Sequence, residues 1–370
     1  MNLSFPEPQP DELLDGWLGR CSVMHSCTSI ANLIAGLRMV TGLPVPATVL
    51  DVIAASLGLT PQEVLFRHTT LPAQRAFSAR AVGIEKQSTE KLSSSGVTRR
   101  SDVEALACPH CAQEDAARGG LSYWRRMHHL PGVDWCPVHQ EALVRFTPTA
   151  FEKRPSDVLA QTAGERCAVP AAIDGSSALG RYAELMVRWL QRSSVYSCTA
   201  LNRVVYEGCR AMGLRCSQVG KRLLVSDLVK QRLPTEWLAL YWPDVLSKAP
   251  AAYLPRLDGP SRDKHVGYPG ATCALVLAAL FESVDDIQRQ LEVADAQVRA
   301  DHARHTDTAL FAARQDFVRG SSLAAACNAH GVAVEQLERW LRDAAKLWTS
   351  TTDPLPKAMA TQPGASLQAA

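Results

Sequence analysis

Cys108-Pro-His-Cys111 and Cys136-Pro-Val-His139, with 24 residues between Cys111 and Cys136, are the stretches from which the chain is best read. Each pair holds two residues between its donors, the spacing at which a tight turn aims two side chains at one metal ion. Three thiolates and an imidazole suit Zn²⁺, and four protein ligands leave no open position for a substrate water. The expectation is a structural zinc on Cys108, Cys111, Cys136 and His139. His110, His128 and His129 are near enough in sequence to compete, with His129 the strongest substitute; His139 is preferred because it completes the second pair. The spacer from Leu121 to Leu130 reads as a short helix, so that the metal clips a small treble or ribbon, with a hairpin over Ala142 to Phe146. A chance cluster of buried cysteines is the plainer alternative, and the paired spacing argues against it.

A chain of 370 residues makes two or three domains and buries a substantial core without disulfides. The cysteines outside the two pairs follow no framework spacing. Cys27, Cys198, Cys209, Cys273 and Cys327 fall in helical patterns, where a free thiol acts as a small buried hydrophobe. With no signal-peptide pattern at the start, this points to a reducing, cytoplasmic setting. The longest apolar run, Ala271 to Phe281, is too short to span a bilayer and reads as a buried core helix. A formal net charge of +2 gives no global pull toward polyanions, so any nucleic-acid surface has to be local.

Helical periodicity runs through almost all the rest. Pro10, Asp11 and Glu12 supply the chemistry of a helix N-terminus. Ile30, Leu33, Ile34 and Leu37 recur at three and four residues and Gly42 stops that helix, while Leu179, Tyr182, Met186 and Trp189 trace a second stripe. The fold class expected is mainly α: multi-helical, with helix-turn-helix units and an inserted small zinc ribbon or treble of minor β content. The expected divisions are an N-terminal helical domain over 1–84, a linker (flexible over 86–96) and zinc module over 85–150, and a C-terminal helical domain over 151–310. A C-terminal helix-turn-helix follows over 311–350, then a disordered tail over 351–370.

Two segments have the pattern of a helix-turn-helix. In Val49 to Phe66, Gly58 makes the turn, Ala54 leaves room for a crossing helix, and Thr60 and Glu63 form a capping box with Pro61 at the first helical position. In Leu323 to Arg342, Gly331 makes the turn, Cys327 takes the small slot, and Leu337, Trp340 and Leu341 face inward. A reader of the major groove would then present Gln336, Arg339 and Arg342, although Glu335 and Glu338 repel phosphate; any helix–Gly–helix corner of an all-α protein gives the same pattern. Between Arg203 and Arg232 the cations Arg203, Arg210, Arg215, Lys221, Arg222, Lys230 and Arg232 face only Glu207 and Asp227. That balance suits a phosphate backbone or, equally, a solvated helical face. Arg210, Arg215, Lys221 and Arg222 are its candidate contacts.

The opening Phe5-Pro-Glu-Pro-Gln-Pro-Asp-Glu-Leu-Leu-Asp-Gly-Trp-Leu-Gly-Arg20, the Arg67-His-Thr-Thr-Leu-Pro72 segment and the Cys-x-x-Cys…Cys-Pro-x-His core with Trp135 resemble the TniQ family, which includes TnsD. The resemblance covers roughly residues 5 to 150 and weakens beyond Ala150. Asp15-Gly16 departs from the pair usual in that opening and reads as a surface change of little consequence. The resemblance implies target-site selection for a transposon: binding double-stranded DNA at the insertion site, or an RNA-guided effector complex that has found it, and recruiting an AAA+ ATPase regulator and a transposase. It implies no catalytic centre, in keeping with the lack of a P-loop, nucleophile or carboxylate constellation in the sequence.

Three classes of function follow. A DNA-binding target selector draws on the two helix corners and the basic segment; an adaptor docking on a partner with little DNA reading draws on the near-neutral charge; a zinc hydrolase is disfavoured by the complete ligand set. No membrane association is expected, and a homodimer is left open.

Overall fold

The computed structural model describes residues 5–44, 46–78, 104–119, 121–170, 173–220, 222–262 and 266–350. The linker expected over 86–96 and the tail over 351–370 lie outside the described residues. The described chain is mainly helical with little strand, and it divides into two units, Met1–Val298 and Arg299–Ala370.

The first unit opens with four helices, α1 (Leu14–Met24), α2 (Ile30–Thr41), α3 (Val49–Leu57) and α4 (Pro61–His68). Pro10, Asp11 and Glu12 do not start α1, contrary to expectation. Asp11 has a left-handed φ of 64°, and both acids are drawn off by arginines: Arg126 Nε lies 3.0 Å from Asp11, and Arg20 Nη2 lies 2.7 Å from Glu12. Ser29 caps α2, and Gly42, at φ 64°, ends it. Leu33, Ile34 and Leu37 bury the expected stripe, which begins one turn late because Ile30 remains exposed. The corner between α3 and α4 forms as read. Gly58 has φ 66°, Leu59 N–H donates to Ala54 O in the bond that closes a Schellman turn, and Thr60 and Glu63 cap α4 reciprocally. A second capping box, Thr48 with Asp51, starts α3. Trp17, Leu18, Leu37, Ile53 and Val64 close this core. Asp15-Gly16 is no surface pair. Gly16 is buried, and a Cβ there would stand 2.8 Å from Trp124 Cδ1, so the helix approaches the next module only without a side chain. Cys27 falls in the turn between α1 and α2 and is half-buried, not helical.

After the short α5 (Leu71–Gln74) and β1 (Phe77–Ser78) comes the cysteine module: β2 (Ala105–Ala107), α6 (Pro109–Gly119), a 3₁₀ turn (Arg126–His129) and β3 (Val144–Phe146). The helix of the spacer lies earlier than read from sequence. It follows Cys108 directly, and of Leu121 to Leu130 only one 3₁₀ turn is helical. Of Ala142 to Phe146, Ala142 pairs antiparallel with nearby Trp135, the local hairpin expected at the metal, while Val144 to Phe146 enters a sheet whose other strands are distant in sequence. β3 pairs antiparallel with β2 on one side and with β4 (Glu165–Arg166) on the other. Between β3 and β4 stand a 3₁₀ turn (Pro148–Glu152) and α7 (Pro155–Gln161).

The remainder of the first unit is a helical bundle: α8 (Ala178–Leu190), β5 (Tyr196–Ser197), α9 (Cys198–Ala211), α10 (Val225–Arg232), α11 (Thr235–Tyr241), α12 (Pro243–Ser247), α13 (Pro255–Asp258), α14 (Gly270–Leu280) and the first part of α15 (Val284–Val318). α14 is the apolar run, and every residue of it is buried except Ala271, which is half-buried. Leu179, Tyr182, Met186 and Trp189 of α8 pack in the same core as expected. At the C-terminus of α14, Arg181 donates to Ala278 O and Arg232 to Ala279 O, cations placed where the helix dipole is negative. β5 pairs in parallel with β1, Tyr196 opposite Phe77, and fastens the bundle to the N-terminal segment.

In the second unit, α16 (Leu323–His330) and α17 (Val334–Ser350) meet at Gly331, φ 63°, and Val332 N–H donates to Cys327 O, the same closure as at Gly58. Ala313, Ala326, Cys327, Val332 and Leu337 form its small core, with Trp340 packed against them. No single helix among the described residues is long and apolar enough to cross a membrane.

Candidate metal centre

Cys108 lies between the end of β2 and the start of α6 and Cys111 in the first turn of α6, so the strand-to-helix junction brings both sulfurs to one place. On the second arm, Trp135 bridges to Ala142, and Gln140 N–H closes the turn on Cys136 O with Gln140 at φ 54°. Backbone N–H groups of Cys111 and His139 donate to the sulfurs of Cys108 and Cys136, an arrangement that favours thiolates. His139 Nδ1 stands 3.5, 3.4 and 3.5 Å from the sulfurs of Cys108, Cys111 and Cys136, and Cys111 and Cys136 are 3.6 Å apart. A tetrahedron with bonds of about 2.3 Å to sulfur and about 2.0 Å to nitrogen has edges of about 3.5 to 3.8 Å. The four donors therefore fit one tetrahedral ion, and they form the one such group among the described residues. The three cysteines are buried with Leu143 and Cys167 around them, while His139 is half-buried.

Hydrogen bonds from Cys111 and Cys136 hold the Cys108 thiol well below its ordinary pKa, and the Cys111 thiol is pushed up by the same contacts. The pKa of His139 is raised, first by its hydrogen bond to Glu114, whose Oε1 lies 3.0 Å from Nε2.

The competing histidines are placed otherwise. His129 uses both ring nitrogens, Nδ1 at 2.9 Å from Arg125 O and Nε2 accepting from Leu106 N–H at 3.1 Å. His110 is exposed and pairs with Glu141 at 3.1 Å. His128 is buried, its Nε2 has no partner, and burial pushes its pKa down to about 3.

The module is bound into its surroundings by contacts that the sequence did not announce. Arg126 donates to Phe66 O at 2.5 Å and Thr69 O at 3.1 Å besides pairing with Asp11, which ties the end of α4 to the 3₁₀ turn. Tyr182 donates to Pro131 O, Trp237 to Gly132 O and Tyr241 to Asp134. The loop leading into Cys136 is thus held by α8 and α11.

Of the candidate nucleic-acid contacts, Gln336, Arg339 and Arg342 are all exposed on α17 on the side away from Leu337. Gln336 also accepts from Ala333 N–H, capping its own helix. In the basic segment the cations are divided. Arg215 is buried and donates to Ala251 O; Lys230 donates to Leu246 O, and Arg232 to Ala279 O and Glu282. Arg203 bonds Gln297, Arg210 and Arg222 are exposed, and Lys221 lies outside the described residues. The outer face of α4 lines a groove of about 690 Å³, with Gln62, Phe66 and Arg67 on one wall and Leu190 to Ser193 on another.

Among curated proteins, none matches the chain. The family comparison does find a match: it begins at residue 3, takes in α1 to α6 and all four donors, and ends at residue 143, leaving 144–370 outside it. The stretch from 3 to 143 is a TniQ domain, of the TniQ family of transposition proteins.

Proposed function

We propose that the protein is a non-catalytic target-site selector for transposition. It binds double-stranded DNA at the insertion target and recruits an AAA+ regulator and, through it, a transposase. The observation that carries the reading is the TniQ domain over residues 3–143. The second unit supports the DNA-binding part: its two helices meet at a glycine corner, and Arg339 and Arg342, three apart on α17, are free to enter one groove. Arg210 and Arg222 would add backbone attraction. The metal centre, with Zn²⁺ on Cys108, Cys111, Cys136 and His139, has a structural role in this reading, because the donor set is complete without solvent. The modules we assign are 1–84, 85–150, 151–310, 311–350 and the tail over 351–370.

A second reading, an adaptor that docks on an RNA-guided effector complex or another protein, is favoured by two observations. The outer face of α4 looks into a groove walled by Leu190 to Ser193, leaving less room for a duplex. Three cations of the basic segment are also spent on backbone carbonyls. A gel-shift titration with target and random duplexes, on the parent and on Arg339→Ala and Arg342→Ala, separates the two. The selector requires tighter binding to target DNA and a loss of about 1–3 kcal/mol in either variant. Equal and weak binding by all three leaves the adaptor.

A further inference from the structure

Glu114 stands outside the four-donor set, yet the geometry gives it a defined place beside it. It lies on α6, three residues after Cys111, so helical spacing puts it on the same face as that ligand. Its Oε1 is 3.0 Å from His139 Nε2, and its Oε2 is 3.4 Å from Arg118 Nη2. The opposite ring nitrogen, Nδ1, is the atom that faces all three sulfurs. A carboxylate on Nε2 fixes the proton there, leaves the Nδ1 lone pair for the metal, and prevents the ring from flipping. The bond also joins the two arms, because Glu114 rides on the first pair's helix and His139 belongs to the second pair.

We propose that Glu114 is a positioning residue of the metal centre: it orients His139, selects Nδ1 as the ligating atom and preorganises the two arms for the ion. The inference rests on the metal reading of this site and is independent of what the protein binds. His110 and Glu141 supply an internal control, since they form a similar pair at 3.1 Å whose imidazole is not one of the four donors although its ring lies 5.3 Å from that of His139.

The test uses the full chain, zinc competition against a chromophoric chelator, and the absorption spectrum of the cobalt-loaded protein. Glu114→Ala should weaken zinc binding by about 10–100-fold, while the cobalt bands keep the position of a three-sulfur, one-nitrogen site. Glu114→Gln, which keeps an acceptor and loses the charge, should fall between parent and Glu114→Ala, and Glu141→Gln should match the parent. Unchanged affinity in Glu114→Ala, or an equal loss in Glu141→Gln, overturns the proposal. If Glu114→Ala fails to fold, Glu114→Gln decides: unchanged affinity overturns it, and weaker binding with the same cobalt bands supports it. A parent that takes up no zinc overturns the metal reading itself, a separate failure visible before any variant is made.

Discussion

The indole Nε1 of Trp237 donates a 2.8 Å hydrogen bond to the carbonyl of Gly132, so a helix of the C-terminal bundle grips the loop that delivers Cys136. Both partners are committed to it. Trp237 is buried, and Gly132 has φ 70° with no room for a Cβ, which would stand 2.8 Å from the Trp237 ring. Trp237→Phe keeps an aromatic ring and removes the donor, leaving a buried carbonyl unpaired. The expected cost is about 1–3 kcal/mol in a denaturant titration; no loss would mean that the loop is held by packing alone.

Because Leu130, Val133 and Trp135 belong to the same core as α8 and α14, metal removal should reach beyond the module. Elemental analysis is expected to find one zinc per chain, and Cys111→Ser to lose it. Chelation should red-shift tryptophan emission, since Trp135 and Trp237 are both buried, and should lower the thermal midpoint. A chelated protein with unchanged emission and midpoint would assign the ion no structural part.

Arg126 holds three acceptors on residues far apart in sequence, the Asp11 carboxylate and the carbonyls of Phe66 and Thr69. Its side chain is only 7% exposed, so Arg126→Ala strands a largely buried carboxylate. The expected loss is about 3–5 kcal/mol. Arg126→Lys should recover only part of it, because one ammonium lacks the planar fork that reaches all three. Urea denaturation of the three proteins measures both numbers.

His128 sets a pH dependence. Its folded pKa is pushed down to about 3 by burial, whereas an unfolded histidine titrates near 6.5. Below pH 6.5 the unfolded chain therefore takes up a proton that the folded chain refuses until about pH 3. Stability present above pH 6.5 is lost as the pH falls, by about 1.4 kcal/mol per unit from this group. His128→Leu lacks that proton. Its stability relative to the parent should rise as the pH is lowered from 6.5 to 4, with protonation of the metal donors common to both. Parallel curves would show that His128 does not titrate in this way.

Arg210 and Arg222 are exposed in the basic segment, where Lys230, also exposed, is engaged with Leu246 O. If they touch phosphates, Arg210→Gln with Arg222→Gln should weaken binding equally for target and random duplexes. The double variant should also reduce the slope of log affinity against log salt by about 0.9 for each phosphate no longer neutralised. An unchanged slope would leave the second unit as the principal nucleic-acid surface.

The features legible in the sequence were those set by near neighbours. Gly58 and Gly331 stop helices because only a residue free of a Cβ takes a φ near 65° cheaply, and Thr60 with Glu63 caps α4 within one turn. The paired donors at 108, 111, 136 and 139 converge as their spacing implied, since each pair is a local turn. The tertiary structure decided where burial and long-range partners outweigh such preferences. Arg126 and Arg20 draw Asp11 and Glu12 out of a helix start, Trp124 makes Gly16 a packing position, and distant carbonyls absorb Arg215, Lys230 and Arg232 from what reads as a basic run. A sequence window records charge and period; whether a guanidinium meets solvent or a carbonyl 36 residues away, as Arg215 meets Ala251, depends on chain closure that no window contains.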